Sequence, residues 1–124
     1  MNEEKKKLLN SLVIPSIFVF ILFVIEFYQK VSGSSLVIYG LYPRKISGLI
    51  GILAAPLLHV SYAHLISNST PLLLVGVGVS YFYPVSANKI FISIYLIPGV
   101  FVWFTGRPAY HVGASIIPVP SIFR

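Results

Sequence analysis

The 124-residue chain is 56% hydrophobic and only 10% charged, whereas soluble globular domains carry about 25% charged residues. This composition excludes an ordinary soluble domain and indicates a small membrane protein. The net charge of +6 comes from basic residues at the ends of apolar runs, without a basic stripe that carries stacking aromatics. We therefore expect the lipid bilayer, and no nucleic acid, as a partner. The absence of cysteine excludes disulfides and thiolate metal sites.

The first predicted transmembrane helix covers residues 11–28 and follows a polar segment, residues 1–10, that we expect to be a cytoplasmic tail. Its length is close to the lower limit of about 17–25 residues for a helix that crosses a membrane. Pro15 is expected in the first turns of this helix, where proline costs least, and Glu26 is expected to snorkel to the interface. The alternative is a secretory signal peptide, but no small-residue cleavage site follows closely.

The remainder of the chain contains two further predicted transmembrane helices, at residues 62–83 and 89–105. Residues 29–48 are a connector rich in turn residues. Residues 49–58 are apolar but too short to span, which predicts a re-entrant or interfacial segment. After the third helix, the Gly, Pro and polar residues of "GRPAYHVGAS" indicate a loop.

The distribution of lysines predicts the orientation of these helices. Three lysines at residues 5–7 favour a cytoplasmic N-terminus, and we expect an integral protein of the inner membrane of a bacterium. The start of the second helix and the "GRPAYHVGAS" loop then share the outer side of the membrane. Arg44 and Lys45, on the outer connector, count weakly against this orientation.

Two polar side chains, His64 and Asn68, begin the second predicted helix. They are four residues apart, so a helix places both on one face. Polar groups are expensive in lipid, and this face should therefore point into the protein or into a wet cavity. Imidazole and carboxamide N–H groups can donate to one oxygen, as an oxyanion site requires. The alternative is a pair of interhelical hydrogen bonds, worth about 0.6 kcal/mol each.

The tripeptide Gly113-Ala114-Ser115 places a serine at the start of a further apolar segment. Its backbone N–H would be among the unpaired amides of a helix N-terminus, where it could join His64 and Asn68 in holding an oxyanion. A Gly-x-Ser tripeptide alone is weak support for a nucleophile, because such matches arise often by chance.

The combined pattern resembles the rhomboid family of intramembrane serine proteases. It consists of H-x-x-x-x-H-L-x-x-N from His59 to Asn68, one further helix, and G-R-x-x-x-H-V-G-A-S ending at Ser115. The resemblance implies that Ser115 is the nucleophile, that His64 and Asn68 assist the oxyanion, and that Gly113 and His59 support the site. It also implies transmembrane protein substrates and a reaction that requires no metal or cofactor.

The chain departs from the family pattern after Ser115. Ile116 replaces the second glycine of the motif, residues 116–124 read as an atypical tail, and the family's base histidine on a sixth helix has no counterpart. We therefore expect an all-α polytopic membrane protein with three transmembrane helices plus a partial fourth. It would form one partial rhomboid-like domain over residues 1–124, truncated after the nucleophile motif. Without a base we expect little or no proteolysis.

His59 and His111 could replace the missing base only if they approached the serine within about 2.6–3.2 Å. We expect instead that His111 is a loop residue near the site and that His59 hydrogen-bonds the connector. Two other functions stay open: a non-catalytic protein that binds client transmembrane helices, and an unrelated small membrane protein with chance motif matches.

Overall fold

The computed structural model describes residues 2–113, which are helical apart from loops and one isolated β-bridge. The helices are α1 (Glu3–Ser32), α2 (Ile50–Ala54), α3 (Tyr62–Phe82) and α4 (Ala87–Thr105). By length and composition, α1, α3 and α4 could each cross a membrane. The prediction of an all-α chain with three such helices is confirmed for the described residues. Ser115, the predicted partial fourth helix and residues 116–124 lie outside them.

Local signals make α1 longer at both ends than the predicted transmembrane helix at residues 11–28. The Asn2 side chain accepts a hydrogen bond from the backbone N–H of Lys5 at 2.8 Å and thereby caps the first turn. Two glutamates in that turn complement the positive end of the helix dipole. At the other end, Gly33 adopts φ 70° and terminates the helix in the left-handed conformation. The polar N-terminal segment is therefore largely helical.

The packing of α1 against α3 depends on a proline and a glycine. A Cβ on Gly76 would lie 2.8 Å from Cγ of Pro15, so the bare glycine lets the two helices approach closely. Leu22 of α1 and Leu65 of α3 are fully buried. The prediction that Pro15 lies in the first turns is wrong. The Asn2 cap starts α1 at Glu3, more than two turns before the predicted start at residue 11, so Pro15 lies in the interior of the helix.

The side chain of Glu26 is buried, with 1% of its surface exposed, so the prediction that it snorkels to the interface is wrong. Lys30, one turn further along α1, places its Nζ 3.3 Å from Glu26 Oε1. Gln29 Nε2 donates to Glu26 Oε2 at 3.2 Å. These two partners hold the carboxylate on the inner face of the helix, since a paired and hydrogen-bonded charge can remain buried.

The connector between α1 and α3 folds into short helical pieces that pack on α4. Three 3₁₀ turns accompany α2 and span Val37–Tyr39, Ile46–Leu49 and Ala55–Leu57. Trp103 of α4 donates from Nε1 to the Lys45 carbonyl at 2.9 Å, and the Tyr95 hydroxyl donates to the Leu53 carbonyl. The apolar helical stretch Ile46–Leu57 is too short to cross a membrane.

Arg44 fixes the connector to the C-terminal end of α4. Its guanidinium Nη1 donates to the carbonyls of Phe104 at 3.3 Å and Gly106 at 2.8 Å, and its backbone N–H donates to the Trp103 carbonyl at 3.0 Å. The last carbonyls of a helix lack intrahelical donors and carry partial negative charge. Arg44, which counts weakly against the predicted orientation, therefore stabilises the packing of the connector on α4.

Two substitutions of Arg44 should separate the loss of its side-chain hydrogen bonds from the relief of its left-handed backbone. Arg44→Ala removes the side-chain bonds to the Phe104 and Gly106 carbonyls but keeps the backbone bond to Trp103, and it should lower the free energy of unfolding by about 1–2 kcal/mol. Arg44→Gly removes the same bonds but also relieves the left-handed backbone at φ 60°, so its loss should be smaller. Thermal unfolding in detergent micelles, followed by circular dichroism, measures both variants. Wild-type stability in the alanine variant would contradict the capping role.

Candidate functional site

The candidate site lies where α1 ends, α3 begins and α4 ends. Gln29, in the last turn of α1, donates from Nε2 to the His59 carbonyl at 3.1 Å and accepts from the Leu36 backbone N–H at 2.9 Å. Lys30 donates to the Val60 carbonyl at 3.2 Å. One polar end of α1 thus holds both the beginning of the connector and the segment that leads into α3.

The connector also holds the loop that follows α4. Leu41 and His111 exchange two backbone hydrogen bonds, at 3.0 and 2.8 Å, in an isolated antiparallel bridge. The Gly113 backbone N–H donates to the Ala55 carbonyl at 2.8 Å. Leu41 and Ala55 are fully buried, so these bonds form away from water. These bonds hold the loop that follows α4 against the connector, so that Gly113 approaches the start of α3.

The backbone of Gly113 lies directly against the imidazole of His64. A Cβ on Gly113 would be 2.6 Å from Cε1 and 3.1 Å from Nε2 of that ring. Gly113 also adopts φ 102°, a conformation that other residues rarely reach. Ser61 caps α3 at this point, because its Oγ accepts the His64 backbone N–H at 3.1 Å. Glycine is therefore the residue that allows this approach.

Asn68 lies one turn beyond His64 in α3 and is buried, with 8% of its surface exposed. Within residues 2–113, neither Asn68 Nδ2 nor His64 Nδ1 has a hydrogen-bond partner. Buried polar groups without partners are costly, so this pair is where a ligand or a further segment would gain hydrogen bonds. Ser115, two positions after Gly113, lies outside the described residues.

His59 also packs against the imidazole of His64. The ring centroids of His59 and His64 are 4.9 Å apart in an edge-to-face arrangement. The His59 ring hydrogen-bonds the Leu57 backbone, and its carbonyl accepts from Gln29, so it contacts the connector as well as the site. Burial, reinforced by the neighbouring His64, lowers the pKa of His59 from 6.5 to about 4.

The lowered pKa of His59 predicts that the protein loses stability in mild acid. The unfolded chain binds a proton at His59 below about pH 6.5, whereas the folded chain binds it only near pH 4. Stability is therefore complete above pH 6.5 and falls as the pH drops from 6.5 to 4. We expect a loss of up to about 2 kcal/mol, after allowance for solvent screening.

Unfolding measured at pH 7 and pH 4.5 tests this prediction. His59→Gln should reduce the difference between the two pH values, while His111→Gln, which alters a histidine outside this cluster, should leave it unchanged. An equal pH dependence in wild type and His59→Gln would contradict the assignment.

His111 lies in the loop, as expected, with its ring Nε2 3.1 Å from the Arg107 carbonyl. Its backbone bridge to Leu41 is the more important contribution, because it aligns the loop that carries Gly113. No group of three metal-ligating side chains forms within residues 2–113.

Sequence reasoning missed Gln29 and Arg44, which position the site without belonging to it. Gln29 could have been recognised, because with Glu26 it forms a polar pair near the end of an apolar helix. Such a pair indicates a helix face that points into the protein. For Arg44 the signal was ambiguous, because a basic residue beside a membrane is equally explained by lipid headgroups.

Comparison with known proteins finds relatives in mycobacteria. Proteins of Mycobacterium tuberculosis and Mycobacterium bovis, both described as uncharacterized, are 36% identical over 109 residues, which cover 79% of this chain and 43% of theirs. An uncharacterized protein of Mycobacterium leprae is 30% identical over 79% of this chain and 41% of its own length. The chain thus spans less than half the length of these relatives. No family model and no solved structure matches it.

Proposed function

We propose that this chain carries the nucleophile and the oxyanion side chains of a rhomboid-type intramembrane serine protease. One observation supports the proposal above the others: the backbone of Gly113 lies against the His64 imidazole, two residues before Ser115. The two halves of the motif are separated by almost fifty residues, and a chance match gives no reason for them to meet.

The proposed chemistry is attack of Ser115 Oγ on a peptide carbonyl in a transmembrane substrate. The new C–O bond places negative charge on the carbonyl oxygen. His64, Asn68 and the Ser115 backbone N–H would donate to that oxygen, and the unpartnered Nδ2 of Asn68 supports this role. Loss of one such donor typically costs about 3–4 kcal/mol of transition-state stabilisation.

The serine proton would need a base. The resemblance assigns this role to a histidine beyond Ser115, but the three histidines of the sequence, His59, His64 and His111, all precede it. Removal of the base from such a pair typically costs several orders of magnitude in rate. We therefore expect Ser115 to react slowly in these 124 residues, with proteolysis near or below detection.

A serine-reactive fluorophosphonate probe tests the proposal on the purified chain in micelles. We expect slow labelling that is abolished by Ser115→Ala and retained by Ser121→Ala, the matched serine in the same segment. His64→Ala and Asn68→Ala should each reduce the labelling rate by more than tenfold. Labelling independent of Ser115, or none at all, would contradict an enzyme.

The second candidate is a protein that holds client transmembrane helices without cleaving them. The observation that favours it is the buried Asn68 amide, whose Nδ2 has no hydrogen-bond partner within residues 2–113 and could donate to a client backbone. Crosslinking of a bound transmembrane peptide that survives Ser115→Ala but not Asn68→Leu would support binding over catalysis.

A further inference from the structure

A cavity of about 480 Å³ lies at the opposite end of the bundle from the candidate site. Its walls come from the first turns of α1, the end of α3 and the start of α4. Lys6 and Lys7 contribute charge, and Asn10 and Asn88 contribute carboxamides. The cavity therefore offers cationic and hydrogen-bonding groups between three helix ends, a setting unrelated to His64 and its neighbours.

The two lysines are available for an anion. Lys7 Nζ lies 4.5 Å from the centroid of the Tyr81 ring, a cation–π contact that holds the ammonium beside the cavity. Neither Lys6 nor Lys7 forms an ion pair with a described residue, although Glu3 also lines the cavity. Four lysines against two glutamates stand at this end of the bundle, so its local charge is positive.

The lining of the cavity includes apolar residues beside the polar ones, and the residue furthest along α1 is the apolar Ile14. Ile14 lies two turns beyond Lys7, about 10 Å deeper along the helix axis, and Pro84 and Ala87 add apolar surface. A free phosphate would use only the charged end of such a cavity. A phospholipid has both parts, an anionic headgroup and an apolar glycerol and acyl region.

We propose that this cavity binds the phosphodiester headgroup of an anionic phospholipid, with Lys6 and Lys7 as its cationic contacts. The helices that form it are long and apolar enough to cross a membrane, which sets their ends at the level of the headgroups. The proposal is independent of the protease proposal, since it uses other residues at the other end of the bundle.

Native mass spectrometry of the full chain in detergent, titrated with phosphatidylglycerol or phosphatidylcholine, tests the proposal. We expect a saturable first phosphatidylglycerol that phosphatidylcholine does not replace. Each lysine near a membrane surface contributes roughly a fivefold gain in anion affinity, so Lys6→Gln and Lys7→Gln together should weaken binding about 25-fold. Lys5→Gln is the matched control, because Lys5 carries the same charge one residue earlier but does not line the cavity.

Three outcomes would overturn the proposal. Equal weakening by Lys5→Gln would mean that general surface charge attracts the lipid. Displacement of phosphatidylglycerol by soluble glycerol 3-phosphate at similar concentration would indicate a free-anion site. Absence of a saturable first lipid would remove the site altogether. Asn88→Ala provides an independent variant within the same cavity and should also weaken the first lipid.

Discussion

Gly113→Ala should disrupt the candidate site directly, at the contact between the loop and His64. The added Cβ would lie 2.6 Å from Cε1 of His64, and φ 102° is strained for alanine. Strain of this kind costs about 1–3 kcal/mol, and the contact would push the loop or the imidazole out of place. We expect fluorophosphonate labelling of Ser115 to fall at least tenfold, while global unfolding changes by no more than about 3 kcal/mol.

Gly33→Ala separates the effect of backbone strain from the effect of crowding the His64 imidazole. Gly33 has φ 70°, and a Cβ there would meet nothing within 4 Å, so alanine at this position adds strain without crowding. It should lower stability by about 1 kcal/mol and leave Ser115 labelling unchanged. Equal labelling in Gly113→Ala and Gly33→Ala would show that the contact with His64 does not matter.

Gly51→Ala should unfold the connector. A Cβ on Gly51 would lie 2.0 Å from the backbone nitrogen of Leu41 and 2.3 Å from the carbonyl carbon of Gly40. Both are backbone atoms, which cannot rotate away as a side chain would, so α2 and the Leu41 segment must separate. Overpacking in a core costs about 1–3 kcal/mol, and backbone against backbone should reach or exceed the upper end of that range.

Separation of α2 from Leu41 should also release the loop that follows α4, because Leu41 forms the bridge to His111. Gly78→Ala is the control: this glycine lies in α3 with nothing within 4 Å of its Cβ position, and alanine there should stabilise the helix by about 0.5–1 kcal/mol. Chymotryptic digestion in micelles measures connector exposure. Wild-type resistance in Gly51→Ala would contradict the packing of α2 on Leu41.

The sequence was sufficient to predict what depends on hydropathy and periodicity. Three long apolar stretches predicted three helices that could span a membrane, and four-residue spacing placed His64 and Asn68 on one face of α3. These features are local, because each depends only on residues within a single helix. The ends of α1 were predicted less well, since the Asn2 cap extended a helix through residues that polarity alone suggested to be a tail.

The positions of Glu26 and the connector could not be predicted, because both depend on partners distant in the chain. Lys30 and Gln29 pair with Glu26 from within one turn of α1, but this face of the helix is covered because Gln29 also donates to the His59 carbonyl, thirty residues away.

The connector reads as a weak interfacial segment in sequence. In the structure it joins α1 and α4 mainly through single side chains, such as Gln29 and Trp103, and it holds the loop through the backbone bonds of Leu41 and Ala55. A local sequence pattern encodes neither kind of contact.

The convergence of imidazole, carboxamide and serine hydroxyl is the claim on which the protease proposal depends, and crosslinking tests it without requiring catalysis. The chain has no cysteine, so Ser115→Cys combined with Asn68→Cys introduces one pair of thiols. We predict that a short bifunctional methanethiosulfonate reagent links this pair in micelles. Ser115→Cys with Ile66→Cys, an exposed position on the opposite face of α3, should stay unlinked. Linking of the Ile66 pair in preference to the Asn68 pair would contradict a shared pocket.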